Sequence, residues 1–165
     1  MIKHGFTRDL DRAELRALAR ELRARPGLWS QLVRRDADER VYELLMRDEH
    51  VMAYLICWSE DHDTGFHDHD GSAGAVAVAA GAVTEQRLRV GGPPLVRTHH
   101  AGAVFDFDPR DIHRVSHERG EPAVTIHVYS PPLQRMGAYI VESDGTLRRE
   151  SLPSDEELRP LAAMT

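Results

Sequence analysis

The sequence is poor in several residue types that support particular kinds of protein. It has one cysteine, Cys57, and one lysine, Lys3, among 165 residues. A single cysteine excludes an internal disulfide, so we expect a reducing, cytoplasmic location. No apolar run is long enough to span a membrane, and the N-terminus lacks the apolar core of a signal peptide. We therefore expect no membrane partner.

The charge of the chain is mildly acidic. Its formal net charge is −6, and its arginines are scattered rather than gathered into a basic stripe. That distribution argues against a nucleic-acid partner. The length fits one domain with a sizeable core, and no repeat or low-complexity tract divides it. We therefore expect a single domain over residues 1–165, with a monomer as the default.

The first third of the chain is predicted to be helical. Apolar residues at helical spacing indicate a helix over residues 9–25, with Leu15, Leu18 and Leu22 on one face. Thr7 or Asp9 can cap its start, and Pro26-Gly27 ends it. A second short helix is predicted over residues 28–33.

From Val41 onward the pattern is one of short strands separated by glycine, proline and aspartate turns. Strands are predicted at 41–47, 51–59, 75–80, 83–90, 103–107, 112–117 and 123–130, with a last hairpin at 138–141 and 146–149. Many short strands of this kind are typical of an antiparallel barrel or jelly roll. The sequence therefore predicts a mainly β fold: N-terminal helices at 1–36, a barrel at 37–150, and a polar tail at 151–165 that extends or frays.

Three histidines indicate a metal site built from strands. Side chains at i and i+2 of a strand face the same way, so His67 and His69 can bind one ion. His113 opens an apolar strand that would pair nearby and supply a third imidazole. Five other histidines have no partner at ligand spacing and are predicted to lie at the surface or in loops: His4, His50, His62, His99 and His100.

A second polar pattern lies in the strand at 123–130. Thr125, His127 and Tyr129 alternate with Ile126 and Val128, so the three polar side chains share one face. This face is either buried, where each group needs a partner, or the solvated side of an edge strand. We favour the buried interpretation because the strand is the most apolar in the C-terminal part.

The order and spacing of these residues resemble a known family. His67-x-His69, the glycines at 74 and 81, and His113 are similar to the two motif stretches of a cupin barrel. The local sequence is similar to the cysteine dioxygenase (thiol dioxygenase) family over most of residues 40–135. The matching segments are 57–60, 67–69, 112–115 and 125–132.

This resemblance implies non-haem Fe(II) held by His67, His69 and His113. Gly74 takes the place of the glutamate that many cupins add as a fourth ligand, which leaves positions open for a thiolate and O2. In animal members a cysteine at this position is crosslinked to the active-site tyrosine. Glycine here implies that Tyr129 is unmodified.

The resemblance also implies catalytic and substrate-binding residues. The family's Ser-His-Tyr relay corresponds to Thr125, His127 and Tyr129, and the bond between Ser130 and the following proline is a candidate for the cis form. Cysteine-specific members bind the substrate carboxylate through an arginine, whose place is taken here by Tyr42.

Two arginines are candidates for binding a substrate carboxylate in its place. Arg40, two residues before Tyr42, could reach in and bind it, or could simply end the charged segment before the first strand. Arg135 is a further candidate, because some family members place this arginine downstream of the tyrosine.

The sequence thus predicts an Fe(II)-dependent thiol dioxygenase that adds both atoms of O2 to a small thiol to give a sulfinic acid. Cysteine or a related mercaptocarboxylate is the expected substrate, and an aminothiol remains open. One alternative is a three-histidine cupin dioxygenase acting on a non-thiol substrate. Another is a non-catalytic cupin that binds a metal or a small molecule.

Overall fold

A computed structural model describes residues 5–117 and 120–161. Within these ranges the chain forms one α-helix, α1 (Arg12–Arg23), two 3₁₀ turns (Pro26–Leu28 and Ser30–Leu32) and eleven strands. The strands are β1 (Val41–Arg47), β2 (Met52–Trp58), β3 (Phe66–Asp68), β4 (Ala73–Ala80), β5 (Ala82–Arg87), β6 (Leu95–His100), β7 (Val104–Phe107), β8 (His113–Ser116), β9 (Ala123–Ser130), β10 (Arg135–Val141) and β11 (Leu147–Pro153).

The strands of the described residues form two antiparallel sheets. The five-stranded sheet has the order β1-β2-β9-β4-β7, and the six-stranded sheet has the order β11-β10-β3-β8-β5-β6. The predicted mainly β architecture is confirmed. No helix in the described ranges is long and apolar enough to cross a membrane.

The single helix covers the outer face of the five-stranded sheet. It packs against β4, β7 and β9 and buries the leucines of its predicted apolar face together with Ala19. Its N-cap is Asp11, whose side chain accepts from the Glu14 backbone while the Glu14 side chain bonds back. The prediction of Thr7 or Asp9 as cap is wrong, because this reciprocal pair begins the helix later. The second helix predicted over residues 28–33 is replaced by the two short 3₁₀ turns, Pro26–Leu28 and Ser30–Leu32.

The core has two layers. One lies between α1 and the five-stranded sheet, and it includes Ile126 and Val128 of β9. The other lies between the facing sheets and includes Trp58, Val76 and Phe107. Because β9 is central in its sheet, all of its residues are buried. The interpretation of its polar face as the solvated side of an edge strand is therefore wrong.

Two strands escaped sequence prediction. The first, β3, is only three residues long and is held between β8 and β10. The second, β6, is an exposed edge strand that pairs with β5. The predicted strand at 83–90 is shorter, since β5 ends at Arg87. Neither missed strand shows the alternation of apolar residues that marks a half-buried strand.

The C-terminal segment packs onto the sheets rather than fraying. Strand β11 continues to Pro153, past the predicted barrel boundary at residue 150. The Ser154 amide donates to the carbonyl of Gln134 over 3.0 Å, and the Leu158 side chain is buried in the core between the sheets. Of the two predicted states of the tail at 151–165, extended or frayed, fraying is wrong for residues 151–161, and residues 162–165 lie outside the described part of the chain.

Candidate metal centre

Three imidazoles converge between the two sheets, as the sequence predicted. His67 on β3 lies directly opposite His113 on β8, and His69 follows β3. The ring centroids are 4.7 Å apart for His67 and His113, 4.8 Å for His67 and His69, and 5.1 Å for His69 and His113. One potential ligand atom from each residue lies within 4.8 Å of the others. This arrangement can hold one metal ion.

Hydrogen bonds orient two of the three rings for coordination. His67 Nδ1 lies 3.1 Å from the carbonyl oxygen of Gly65, and His113 Nδ1 lies 2.8 Å from Glu85 Oε1. Both acceptors require a proton on Nδ1, so the Nε2 lone pair of each ring is free. A metal-binding histidine commonly donates its second ring N–H to a carbonyl or carboxylate in this way.

The third ring supplies an unsatisfied nitrogen. His69 Nδ1 is buried and has no hydrogen-bond partner among the described residues, while its ring stacks on Phe107 at 4.1 Å between centroids. Burial holds the pKa of His67 and His69 well below the ordinary value, so both rings are neutral at pH 7. Neutral imidazoles with free lone pairs fit a first-row transition metal.

Glu85 is a buried carboxylate behind the histidines that sequence reasoning missed. It accepts from His113 Nδ1, from His99 Nε2 at 3.3 Å and from Arg87 Nη2 at 2.8 Å. Its burial opposes ionisation, but these donors together hold its pKa well below the usual value. The alternation of β5 could have revealed it, because Glu85 shares a strand face with the buried Val83.

Asp68, between His67 and His69, lies at the end of β3 and fixes this strand in place. Its carboxylate accepts from Tyr139 Oη at 2.6 Å, from Arg149 Nε at 2.8 Å and from the Gly137 amide at 3.1 Å. Burial opposes the ionised form, yet the bonds from Arg149 and Tyr139 lower the Asp68 pKa to about 2. These contacts tie the histidine-bearing strand to β10 and β11.

The position next to the histidines that could hold a fourth side chain is filled by an aromatic ring. Gly74 lies opposite Phe107 on one side and Tyr129 on the other. A Cβ added at Gly74 would overlap the Phe107 ring. Residue 74 therefore supplies no carboxylate, and its side-chain space belongs to Phe107.

The bond between Ser130 and Pro131 is cis, as predicted.

A chain of four buried polar groups runs along β9. Trp58 Nε1 donates to Thr125 Oγ1 over 2.8 Å, and Thr125 Oγ1 lies 2.9 Å from His127 Nε2. His127 Nδ1 lies 3.2 Å from Tyr129 Oη. Burial lowers the pKa of His127 to about 3 and raises that of Tyr129 far above its ordinary value. Both side chains are therefore uncharged at neutral pH.

His67, His69 and His113 line one cavity of about 260 Å³ together with His127 and Tyr129 of this polar chain. Its wall also includes Tyr54, Ile56 and Trp58 of β2, and the C-terminal segment 154–158 closes one side. A cavity of this size fits a small molecule rather than a polymer.

Arg40 does not line this cavity, but it contacts three residues that do: Tyr42, Trp58 and Leu158. Its Nε donates to Tyr42 Oη over 2.7 Å, and its Nη2 donates to the Leu158 carbonyl and lies 3.3 Å from Glu157 Oε1. The guanidinium carbon lies 5.2 Å from the centroid of the Trp58 ring. Its side chain is 2% exposed, so the interpretation that Arg40 merely ends a solvated charged segment is wrong. Tyr42 lines the cavity.

Other sequence candidates lie away from the cavity or differ from their predicted setting. Arg135 is exposed and donates to Ser151 on β11. His62 is buried rather than at the surface, with Nδ1 accepting from the Ser59 amide and Nε2 facing the Ala37 carbonyl. His99 contacts Glu85 and stacks on Phe105. His4 lies outside the described residues.

The fold is shared with solved cupins, which defines its class. A cupin superfamily protein from Desulfitobacterium hafniense DCB-2 has a TM-score of 0.53 and 9% identity, covering 62% of this chain and 87% of that one. A protein with a double-stranded β-helix domain from Klebsiella pneumoniae has a TM-score of 0.55 and 16% identity, covering 62% and 80%. At such identities the likeness concerns the fold alone.

Within that class, the chain belongs to the family described as cysteine dioxygenase type I, which matches residues 2–141. A curated relative, cysteine dioxygenase type 1 from Danio rerio, is 30% identical over 90 residues. The match covers 48% of this chain and 45% of the zebrafish protein, so it spans less than half the length of that relative.

Proposed function

We propose that this protein is an Fe(II)-dependent thiol dioxygenase that converts a small thiol into a sulfinic acid. The observation that carries the proposal is the cluster of His67, His69 and His113 in a chain of the cysteine dioxygenase family. In the reaction RSH + O2 → RSO2H, two S–O bonds form and the O–O bond breaks. Sulfur loses the four electrons that dioxygen gains, so no further reductant is needed.

In this proposal His67, His69 and His113 hold the iron through neutral nitrogens. The iron, when bound, supplies the redox chemistry and open positions where a thiolate and O2 can meet. The residues around it provide geometry and a cavity lined largely by apolar side chains. Glu85 stabilises the orientation of the His113 ring, and Phe107 keeps the fourth-ligand position free of a carboxylate.

The polar chain on β9 would set the proton position at Tyr129. Because Trp58 donates to Thr125, the Thr125 hydroxyl proton can be donated to His127 Nε2. His127 then carries its single proton on Nδ1 and donates it to Tyr129 Oη. The phenol keeps its own proton, since burial raises its pKa. Tyr129 would thus present an O–H donor to the polar end of the substrate or to oxygen.

A turnover assay tests this function. Protein reconstituted anaerobically with Fe(II) is mixed with O2 and a panel of cysteine, 3-mercaptopropionate and 2-aminoethanethiol. We expect consumption of one O2 for each sulfinate formed, with both oxygen atoms derived from ¹⁸O2 by mass spectrometry. Metal-free protein is the control. The proposal fails if no thiol in the panel consumes oxygen and no sulfinate is found.

Replacing Tyr129 by phenylalanine separates this function from the alternatives. A dioxygenase that uses the phenol should turn over more slowly, or consume O2 without forming sulfinate. A non-catalytic cupin should bind its ligand nearly as before. A three-histidine enzyme with a non-thiol substrate leaves the buried Thr125-His127-Tyr129 chain without a role, so we do not favour it.

A further inference from the structure

One side of the cavity is closed by a segment that belongs to neither sheet. Most of the lining residues lie on strands, whereas residues 154–158 follow the end of β11 at Pro153. With this segment in place, the side chains of His67, His69 and His113 are buried, at 4%, 2% and 1% exposure. The three imidazoles are therefore shielded from solvent in this arrangement.

Few backbone hydrogen bonds hold this segment to the sheets. The Ser154 amide donates to the Gln134 carbonyl over 3.0 Å, and the Glu156 amide donates to the Pro153 carbonyl over 3.2 Å. The other backbone amides between 154 and 161, the last described residue, have no backbone acceptor within the described ranges. A segment with so few backbone bonds opens locally at a small cost in free energy.

Arg40 attaches this segment to the rest of the molecule. Its Nη2 donates to the Leu158 carbonyl and lies 3.3 Å from Glu157 Oε1, and its backbone amide donates to the same carboxylate oxygen over 3.1 Å. Its Nε donates to Tyr42 Oη on β1 over 2.7 Å. The buried guanidinium thus joins the segment to the five-stranded sheet.

The other attachments of the segment are weaker or less specific. Arg159 Nη2 lies 3.3 Å from the Asp38 carbonyl and 3.4 Å from Glu39 Oε1, but the Arg159 side chain is 53% exposed, and exposed ion pairs contribute little. The Leu158 side chain packs in the core between the sheets. Hydrogen bonds from a buried charged group are stronger than surface ones, so Arg40 provides the main polar attachment.

We propose that residues 154–158 form a strap over the cavity, that Arg40 holds this strap closed, and that a small molecule enters when the strap is released. Arg40 is then a positioning residue, because it acts through Glu157 and Leu158 rather than by touching the molecule in the cavity. This role is an alternative to the carboxylate binding expected from the sequence. It holds for whichever small molecule the cavity accepts.

Modification of histidines by diethyl pyrocarbonate measures how often the strap is open. The reagent attacks neutral imidazoles, and a short pulse on the metal-free full chain, followed by peptide mass spectrometry, gives a rate for each histidine. His67, His69 and His113 report on the cavity. His100, which is exposed, corrects for reagent activity, and His117, which is buried outside the cavity, reports on loosening of the whole fold. When opening is fast relative to modification, the rate follows the open population.

In the wild type we expect the cavity histidines to react at least about tenfold more slowly than His100. Arg40→Met keeps an apolar stem without donors and should raise the cavity rates relative to His100 by at least about tenfold, because the charged hydrogen bonds to the strap are lost. Arg40→Lys keeps the charge but not the planar fork, so its rates should fall between the two. Arg135→Met removes an arginine bonded to β11 outside the cavity and, as the matched control, should leave the ratio unchanged.

Glu157→Gln is a second variant that leaves Arg40 in place. It removes the charge that faces the guanidinium and should raise the cavity rates by about threefold. Unchanged cavity rates in Arg40→Met would overturn the inference, as would wild-type cavity histidines that react as fast as His100. A parallel rise at His117 in both variants would also overturn it, because the whole fold would then be loosened. The pulse uses neither thiol nor iron, so its outcome is independent of the turnover assay.

Discussion

At the scale of single residues, the candidate metal centre depends on side chains that hold its histidines in place without being candidate ligands themselves. Glu85 joins three donors from different places in the chain, and one of them is the predicted ligand His113. The negative charge on Glu85 favours the tautomer that leaves His113 Nε2 free. We propose that this contact makes Glu85 a positioning residue for the candidate ligand His113.

Replacing Glu85 by glutamine should weaken metal binding by about 10- to 100-fold. The amide is uncharged, so the His113 ring loses its charged hydrogen-bond partner. In addition, the NH2 group of the amide is placed against hydrogen-bond donors, where the carboxylate had acceptors. Equilibrium dialysis of Fe(II) under anaerobic conditions measures the effect. Glu60→Gln, at an exposed site, is the control. Equal Kd values for both variants and the wild type would contradict this role.

The cluster of three histidines could be predicted from the sequence, whereas the partners of the residues that support it could not. His67 and His69 could be recognised because they are two residues apart. In an extended strand, side chains at this spacing point to the same face. Glu85 and Glu157 act through partners far away in sequence, His113 and Arg40. Such contacts follow from the packing of strands and segments, which no local pattern encodes.

At the scale of elements, strand β9 combines two faces with opposite chemistry. Ile126 and Val128 pack in the core beside α1, whereas His127 and Tyr129 line the cavity and Thr125 bonds to His127 on the same strand face. The two-residue alternation and the apolar character of the strand were sufficient to predict this arrangement. The three-residue strand β3 was not predicted, because its existence depends on pairing with β8 and β10.

Replacing Thr125 by valine should lower the free energy of unfolding by about 1–3 kcal/mol, whereas serine should retain wild-type stability to within about 1 kcal/mol. Valine has a similar shape but leaves Trp58 Nε1 and His127 Nε2 buried without their partner. Urea unfolding of the metal-free protein gives the comparison. A valine variant as stable as the serine variant would show that this hydroxyl is not needed by its neighbours.

At the scale of the whole molecule, the two sheets enclose several neutral histidines. Burial lowers the pKa of His67, His69 and His127 in the folded state, while an unfolded chain has histidine pKa values of about 6.5. The unfolded state therefore binds more protons as the pH falls below that value. Stability contributed by the neutral rings is fully present above about pH 6.5 and is lost at lower pH.

For the metal-free protein we expect the free energy of unfolding to fall between pH 6.5 and pH 4.5, by up to about 1.4 kcal/mol per pH unit for each of these histidines. The loss precedes that from Asp68, whose folded pKa of about 2 shifts its contribution to more acidic solutions. Urea unfolding at several pH values measures the slope. His100→Gln, at an exposed site, should leave it unchanged, and a flat profile would refute the expectation.

The overall architecture was predictable because strand patterning and turn residues repeat along the chain. The packing of residues 154–158 against the cavity could not be predicted. The segment is polar, and it is held by individual contacts rather than by a repeated apolar pattern. Leu158 is buried, and its carbonyl accepts a hydrogen bond from Arg40. The two residues are far apart in the chain, so the local sequence around one does not predict its contact with the other. Only the assembled sheets bring them together.

The contact between Gly74 and Phe107 restricts how this protein can change over evolutionary time. Any side chain introduced at residue 74 collides with a ring supplied by a different strand. A lineage that gains a carboxylate or a cysteine here must also move or shrink the Phe107 ring, which is packed in the core between the sheets. We therefore expect residues 74 and 107 to change together over evolutionary time.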